Sequence, residues 1–284
     1  MAELTVRISV ILSTYNQPQW LEKSIWGYAV QSHSDFELLV ADDGSTDDTR
    51  KAIERLRRET ALKIKHVWHE DRGFRKCSIL NAVIVQSSSD YLVFSDGDCV
   101  PRWDFLAAHA RHACPRCFLS GGYFKLPLEL SGAVSIDDIV HRRVTSAAWL
   151  RGHGLPFSAK ILKLSASRRL ARWLDLFTTT KATWNGHNSS GWKADILRVN
   201  GFDERMEWGG EDRELGERLL NLGIRGKRIR YRAVCVHLEH ARGYVRQEAI
   251  QRNREIRRQT RTTRAAWTQY GIRKPAQSPV VKAA

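Results

Sequence analysis

The chain has 284 residues, 42% hydrophobic and 27% charged, which is the composition of a soluble globular protein with ample core for one large α/β domain or two small ones. Its longest apolar runs are strand-sized, short of the roughly 20 residues of a membrane span, and no charged region followed by an apolar stretch opens it. The sequence therefore predicts a protein neither exported nor membrane-spanning. The formal charge is +15; eleven Lys and Arg against two Glu lie in residues 242–284, so +9 of the excess sits in the tail. A basic tail suits an anionic membrane surface or nucleic acid, and equally a solvated helical face. Five scattered cysteines, an odd number, argue for free thiols in a reducing compartment. Cys114-Pro-Arg-Cys117 lacks the second pair that a zinc site needs.

In chain order, Val6 to Leu12 reads as a buried strand running into the loop Ser13-Thr14-Tyr15-Asn16-Gln17-Pro18 and a helix to about Val30. Phe36 to Val40 is a second strand, ending in Ala41-Asp42-Asp43-Gly44-Ser45-Thr46, where Ser45 or Thr46 can cap a helix through Ile53 and Leu56. A third strand, Leu62 to Trp68, leads through His69-Glu70-Asp71-Arg72-Gly73 to a helix from Phe74 to about Gln86. A fourth strand, Tyr91 to Phe94, runs into Ser95-Asp96-Gly97-Asp98-Cys99. Alternating β and α with short joints predicts a parallel sheet with right-handed crossovers. Ligands gather at the carboxyl ends of such strands, where Asp96 and Asp98 can converge on one hard cation carrying a diphosphate, with Gly97 admitting a bulky anion. The same tripeptide also suits an ordinary turn. Neither GxGxxG nor GxxxxGK[ST] occurs in this half, so phosphate must be held through a metal, with Arg72, Arg75 or Lys76 assisting.

In order and spacing, Ile8 to Ile25, Asp42-Asp43-Gly44-Ser45, Gly73-Phe74-Arg75-Lys76 to Asn81, and Asp96-Gly97-Asp98 resemble the family 2 glycosyltransferases, of GT-A fold. The resemblance implies that Thr14, Tyr15, Asn16 and Asp42 hold the nucleotide base and ribose. It implies that Asp96 contacts the ribose or a metal-bound water and that Asp98 ligates the metal. Arg72 and Lys76 are the phosphate candidates, with surface salt bridging as the alternative for Arg72.

Pro101 reads as the first turn of a helix carrying Trp103, Leu106 and Ala107. Residues 121–181 are the least legible. There Leu170, Trp173, Leu174 and Phe177 fall at helical spacing near Lys160, Lys163, Arg168, Arg169 and Arg172. Such a helix packs its apolar stripe on the core with its arginines solvated, or lies on an anionic membrane.

Trp184 to Trp192 precedes a short helix, Lys193 to Val199, closed by Asn200-Gly201. Trp208-Gly209-Gly210-Glu211-Asp212 then opens a helix carrying Leu215, Leu219, Leu220 and Leu222. Carboxylates at a helix's amino end are favoured by its dipole alone, but the paired glycines open the loop to a ligand and Trp208 offers a face for a sugar. The segment is similar to that of the β-1,4-galactosyltransferases and the bacterial chondroitin-polymerase-like enzymes. By that resemblance Asp212 is the catalytic base, Glu211 binds acceptor hydroxyls and Trp208 closes over the sugars. Val234 to His240 is a strand ending in two histidines. The resemblance makes His240 the partner of Asp98 in the metal site, with Asp96 and His237 as second choices. The galactosyltransferases have Met where His237 stands. Carboxylate with imidazole favours Mn²⁺, with Mg²⁺ as the alternative. An Arg-rich helix from Gly243 to about Gln269 ends the pattern.

The sequence thus predicts a single GT-A domain over residues 1–241, with a mostly parallel central sheet flanked by helices. Residues 1–120 form its nucleotide-sugar half and 121–241 its acceptor half, and 242–284 form a basic helix and tail. The expected reaction is metal-dependent, inverting transfer of a hexose or N-acetylhexosamine from a UDP-sugar to a saccharide or lipid-linked saccharide. A role in bacterial cell-surface polysaccharide or lipopolysaccharide synthesis is expected, in the cytoplasm or peripherally on the inner face of the membrane. A nucleotidyltransferase would share the carboxylates and metal but has no need of the 208–212 segment. A nucleic-acid-binding protein would explain the charge alone, yet the excess is terminal and the carboxylate clusters would repel phosphate; no nucleic-acid partner is expected.

Overall fold

A computed structural model describes residues 6–156, 158–240 and 246–274. The first half is β1 (Ile8–Thr14), α1 (Pro18–Ala29), β2 (Phe36–Asp42), α2 (Asp47–Glu59), β3 (Ile64–Trp68), α3 (Lys76–Gln86), β4 (Tyr91–Asp96), β5 (Cys99–Pro101) and α4 (Phe105–His112). Next come β6 (Cys117–Lys125) and four short helices, α5 (Leu128–Ala133), α6 (Ile136–Val140), α7 (Ala147–Gly152) and α8 (Leu162–Ser165). The chain continues with α9 (Arg168–Phe177), β7 (Ser189–Trp192), α10 (Lys193–Arg198), α11 (Glu211–Asn221), β8 (Arg225–His237) and α12 (Gln247–Thr262). The expected start of the tail helix at Gly243 lies outside the described residues, and the helix ends at Thr262, short of the expected Gln269.

One eight-stranded sheet runs in the order β3-β2-β1-β4-β7-β6-β8-β5. β3, β2, β1 and β4 are parallel neighbours, as the alternation of elements predicts. Beyond β4 the sheet turns mixed: β7 is antiparallel to both β4 and β6, β8 is parallel to β6, and β5 is antiparallel to β8. β1, β2 and β4 are apolar because both faces are covered. Val10, Leu12, Val40 and Val93 pack on one side with Leu21 and Ile25 of α1, while Ile11, Leu39 and Phe94 pack on the other with Leu80 and Val83 of α3.

Three local expectations are corrected. Pro101 does not open a helix: Val100 pairs with Val236 in a short strand and Pro101 packs against Gly27, where a Cβ would come within 2.7 Å of its ring. α4 therefore starts at Phe105. Thr46 is the N-cap residue of α2 without a side-chain cap bond, and Ser45 Oγ instead accepts from Asn16 N at 2.8 Å. The apolar stripe of α9 is not packed on the core: Ala171 and Asp175 face inward while Leu170, Trp173 and Phe177 are exposed.

The carboxy-terminal part belongs to the body. Buried Ala249, Asn253, Ile256 and Thr260 form one face of α12, and Thr260 Oγ1 donates to Glu214 of α11 at 2.9 Å. Glu214 in turn pairs with Arg218 at 2.7 Å, both fully buried, and Arg218 also donates to the carbonyls of Val199 and Gly201. Removing the guanidinium would strand a buried carboxylate. Arg218→Met should therefore lower the unfolding free energy by about 3–5 kcal/mol in urea denaturation. Adding Glu214→Gln to that variant should recover part of the loss.

Candidate active site

The carboxyl ends of β1, β2 and β4, the end of β8 and the amino end of α11 share one cleft of about 500 Å³. Asp43, Asp96, Asp98, Glu211 and Asp212 all line it, so its electrostatics decide what it can hold.

Lys76, at the start of α3, sits among them. Its Nζ donates to Asp96 Oδ1 at 2.9 Å, and Ser13 Oγ donates to the same oxygen at 2.6 Å. Burial alone would raise the Asp96 carboxyl, but the ammonium and these hydrogen bonds outweigh it and hold Asp96 ionised, well below the usual carboxylate range. Burial alone would lower Lys76; Asp96, Asp212 and Glu211 outweigh it and keep the amine charged. Asp212 behaves oppositely. Burial, then the neighbouring Glu211, push it up to about 7 against the pull of Lys76. Its Oδ1 is buried without a hydrogen-bond partner among the described residues, and Gly186 approaches so closely that a Cβ there would stand 2.6 Å from Oδ2. A carboxylate poised near neutrality with one oxygen unpartnered is a proton acceptor in waiting.

Asp98 faces two imidazoles. His240 Nε2 lies 2.8 Å and His237 Nε2 3.5 Å from the same Asp98 Oδ2, with the two rings within 6° of parallel. β8 and β5 build this arrangement by pairing Cys99 with His237, while Leu238 N donates to the Asp98 carbonyl at 2.9 Å. Trp20 of α1 stacks on the His240 ring. One carboxylate and two imidazoles converging at a cleft fit a first-row divalent cation. Cys99 Sγ belongs to the same cluster, and burial holds its thiol well above the ordinary value. Asp96, already engaged by Lys76 and Ser13, stands apart from this group.

The loop before α11 is held from outside. Gly209 and Gly210 have φ of +112° and +106°, which only glycine adopts without strain, and their turn brings Trp208, Glu211 and Asp212 into the cleft lining. Glu211 Oε2 accepts from Gly209 N at 2.9 Å. From α12, Asn253 Nδ2 donates to the carbonyls of Glu207, Trp208 and Gly209 at 2.8, 3.4 and 3.3 Å.

Residues 9–117 match the family described as Glycosyl transferase family 2, and residues 178–241 match that described as N-terminal domain of galactosyltransferase. Residues 9–117 thus carry a glycosyl transferase family 2 domain. It is 36% identical over 231 residues to validoxylamine A glucosyltransferase of Streptomyces hygroscopicus subsp. jinggangensis, covering 76% of this chain and 52% of that one. Chondroitin synthase of Escherichia coli is 25% identical over 230 residues, 76% of this chain and 32% of that one. The chain thus spans about half the length, or less, of these curated relatives. Among solved structures, a mannosyltransferase from Pyrobaculum calidifontis in complex with GDP-Man and Mn²⁺ superposes with a TM-score of 0.58 at 21% identity, over 91% of this chain and 62% of that one. The fold is that of the GT-A glycosyltransferases.

Of the residues singled out from sequence, Thr14, Tyr15, Lys76, Asp96, Asp98, Trp208, Glu211, Asp212, His237 and His240 line the one cleft. Four others do not, among them Arg75, whose backbone N–H donates to Asp43 Oδ2 at 3.0 Å. Asp42 is 1% exposed and accepts from Ser45 N and His66, so the neighbouring Asp43 is the carboxylate that reaches the cleft. Asn16, at φ +48°, braces the loop by accepting from Thr46 N. Arg72 is solvent-exposed and paired with Glu70 at 2.8 Å. Gly97 also lines the cleft, its N–H donating to Ser13 O at 2.8 Å. Sequence reasoning missed Tyr123 and Lys125 on β6, and His187, which packs on Tyr123 with ring centroids 4.5 Å apart. Burial keeps His187 neutral, lowered to about 4. Its place inside the polar 185–190 run was its only signal.

Asn253→Ala removes the clamp on the loop while leaving every cleft residue in place. Amide hydrogen exchange at Trp208–Gly210 should then speed up by about tenfold, with the core strands unchanged.

Proposed function

We propose that the protein is an inverting, metal-dependent glycosyltransferase moving a hexose or N-acetylhexosamine from a nucleotide sugar to a saccharide hydroxyl. The observation that carries this reading is the pairing, in one cleft, of a buried carboxylate raised to about 7, Asp212, with a separate Asp98–His237–His240 cluster. Asp212 takes the proton from the acceptor hydroxyl as it attacks the anomeric carbon. Glu211 orients the acceptor's other hydroxyls and Trp208 covers the sugar. Asp98 and His240, with His237, hold a divalent cation, Mn²⁺ before Mg²⁺ because imidazole shares the donor set with carboxylate. When bound, such a cation supplies positive charge for the departing diphosphate. Separate proton acceptor and metal ligands suit a single displacement with inversion.

Thr14 and Tyr15 line the donor end, and Asn16 and Asp42 support them by fixing the loops between β1 and α1 and between β2 and α2. Residues 1–120 then serve the donor, 121–241 the acceptor, and the helix beyond 242 steadies the acceptor loop. UDP is the nucleotide implied by the sequence resemblance; GDP is the alternative, since the Pyrobaculum calidifontis neighbour holds GDP-Man. A glucosyltransferase and a chondroitin synthase among the relatives agree with a hexosyl donor and a carbohydrate product. A bacterial cell-surface polysaccharide or lipopolysaccharide is the acceptor class we favour, with the enzyme on the cytoplasmic face of the membrane. Among the described residues no helix is long and apolar enough to cross one.

Calorimetric titration with UDP, with and without Mn²⁺, tests the donor site. Binding should require Mn²⁺ and be lost in Asp98→Ala; absence of binding by UDP and GDP alike would overturn the reading. Asp212→Asn should reduce transfer by about 10²–10⁴-fold with UDP affinity retained. Loss of UDP binding in that variant would make Asp212 structural. Because a base acts only when ionised, log kcat/KM should rise with pH and level off above about 7, the value to which burial and Glu211 push Asp212.

A further inference from the structure

We propose that α9 docks the protein on an anionic bilayer surface, with its aromatic face among the lipid headgroups and its arginines on their phosphates. An amphipathic helix of a globular protein ordinarily buries its apolar stripe. α9 does the reverse. Its inward residues are Ala171 and Asp175, 2% and 3% exposed, whereas Leu170, Trp173, Leu176 and Phe177 are 43%, 58%, 59% and 75% exposed. At about 100° per residue, Trp173 points almost directly away from the direction shared by Ala171 and Asp175.

This orientation is fixed by polar contacts. The buried Asp175 carboxylate accepts from Tyr231 N at 3.1 Å and Arg232 Nε at 2.7 Å. Arg228 donates to the carbonyls of Leu176 and Thr178, closing the carboxyl end, and Ser167 Oγ caps the amino end through Leu170 N. Rolling the stripe inward would pull Asp175 from Arg232 and leave a buried charge unpaired, so the apolar face stays outside. Trp173 and Phe177 stack there with centroids 5.6 Å apart and planes within 6°.

The charge pattern names the partner. Arg168, Arg169 and Arg172 are exposed, none forms an ion pair among the described residues, and all three lie on the one short helix that carries the exposed apolar face. Cations beside an exposed Trp, Leu and Phe face match the boundary of an anionic bilayer, where the rings enter the headgroup layer and each guanidinium meets a phosphate. A second copy of the chain is a poorer fit, because a two-fold contact would set these unpaired arginines near their own equivalents. The inference stands independently of the glycosyl-transfer reading.

The test is co-sedimentation of the full chain with vesicles of phosphatidylcholine alone or of equal parts phosphatidylcholine and phosphatidylglycerol, at low and high salt. Binding should need phosphatidylglycerol and weaken with salt. Arg168→Glu/Arg169→Glu/Arg172→Glu should reduce the partition coefficient by about a hundredfold. Trp173→Ser/Phe177→Ser should reduce it by about tenfold or more. All five side chains are exposed, so both variants should keep the parent's circular dichroism and melting temperature. Lack of vesicle binding by the parent would overturn the proposal. So would binding unchanged in both variants, which would assign it to the basic 242–284 segment. A parent dimer that these substitutions dissociate, with vesicles ignored, would assign the face to a second copy.

Discussion

The ammonium of Lys76 is the interaction on which the cleft depends. Parallel strands deliver Asp43, Asp96 and Asp98 to one edge of the sheet, and the turn into α11 adds Glu211 and Asp212. Carboxylates crowded in a low-dielectric site cannot all stay ionised unless positive charge is built in. Lys76 supplies it unevenly: bonded to Asp96, it keeps that group charged, while Asp212 receives only a weaker pull and stays high. One residue thereby separates two chemically identical side chains into a fixed anion and a proton acceptor. Asp98 is satisfied independently by His237 and His240, which keeps the cation site distinct from the proton site.

Holding these groups together is a problem of sheet topology. Asp98 follows β4, but its imidazoles arrive from β8, more than 130 residues later in the chain. β7 solves this by running antiparallel between β4 and β6, so that the second half extends the same sheet. A buried polar network locks the junction: His109 bonds Ser190 and Asn188, and Asn188 Nδ2 donates to the carbonyls of Gly122 and Ala233. Gly121 and Gly122 allow the approach, since a Cβ at either would collide with Asn188 or with the Arg230 backbone. The register between β6 and β8 shifts there, as at a β-bulge.

The two basic helices illustrate different uses of arginine. On α12, Arg252 and Arg257 reach back to Glu207 and Glu217, so much of the tail's charge is spent on docking the helix over the Trp208 loop. On α9 the arginines pair with nothing described and flank an apolar face. Net charge treats these alike; the exposed apolar face beside the arginines distinguishes α9.

The sequence by itself determined the first half of the sheet, the apolar strands with carboxylates at their ends and the Trp208–Asp212 segment, because each is a local pattern of burial or turn chemistry. It also pointed to both histidines at the end of β8. The resemblance pointed to Asp42, whereas Asp43 is the carboxylate that lines the cleft, since adjacent residues at a strand end point opposite ways and a one-residue offset decides which meets it. The long β8 was legible only at its apolar end; Arg225 to Ile229 form a strand because β6 pairs with them. Lys76 as the partner of Asp96, Asp212 as a buried acid raised toward neutrality and α9 turned apolar face outward all rest on contacts between distant segments. Those belong to tertiary structure, because charge burial and helix rotation are set by what packs alongside.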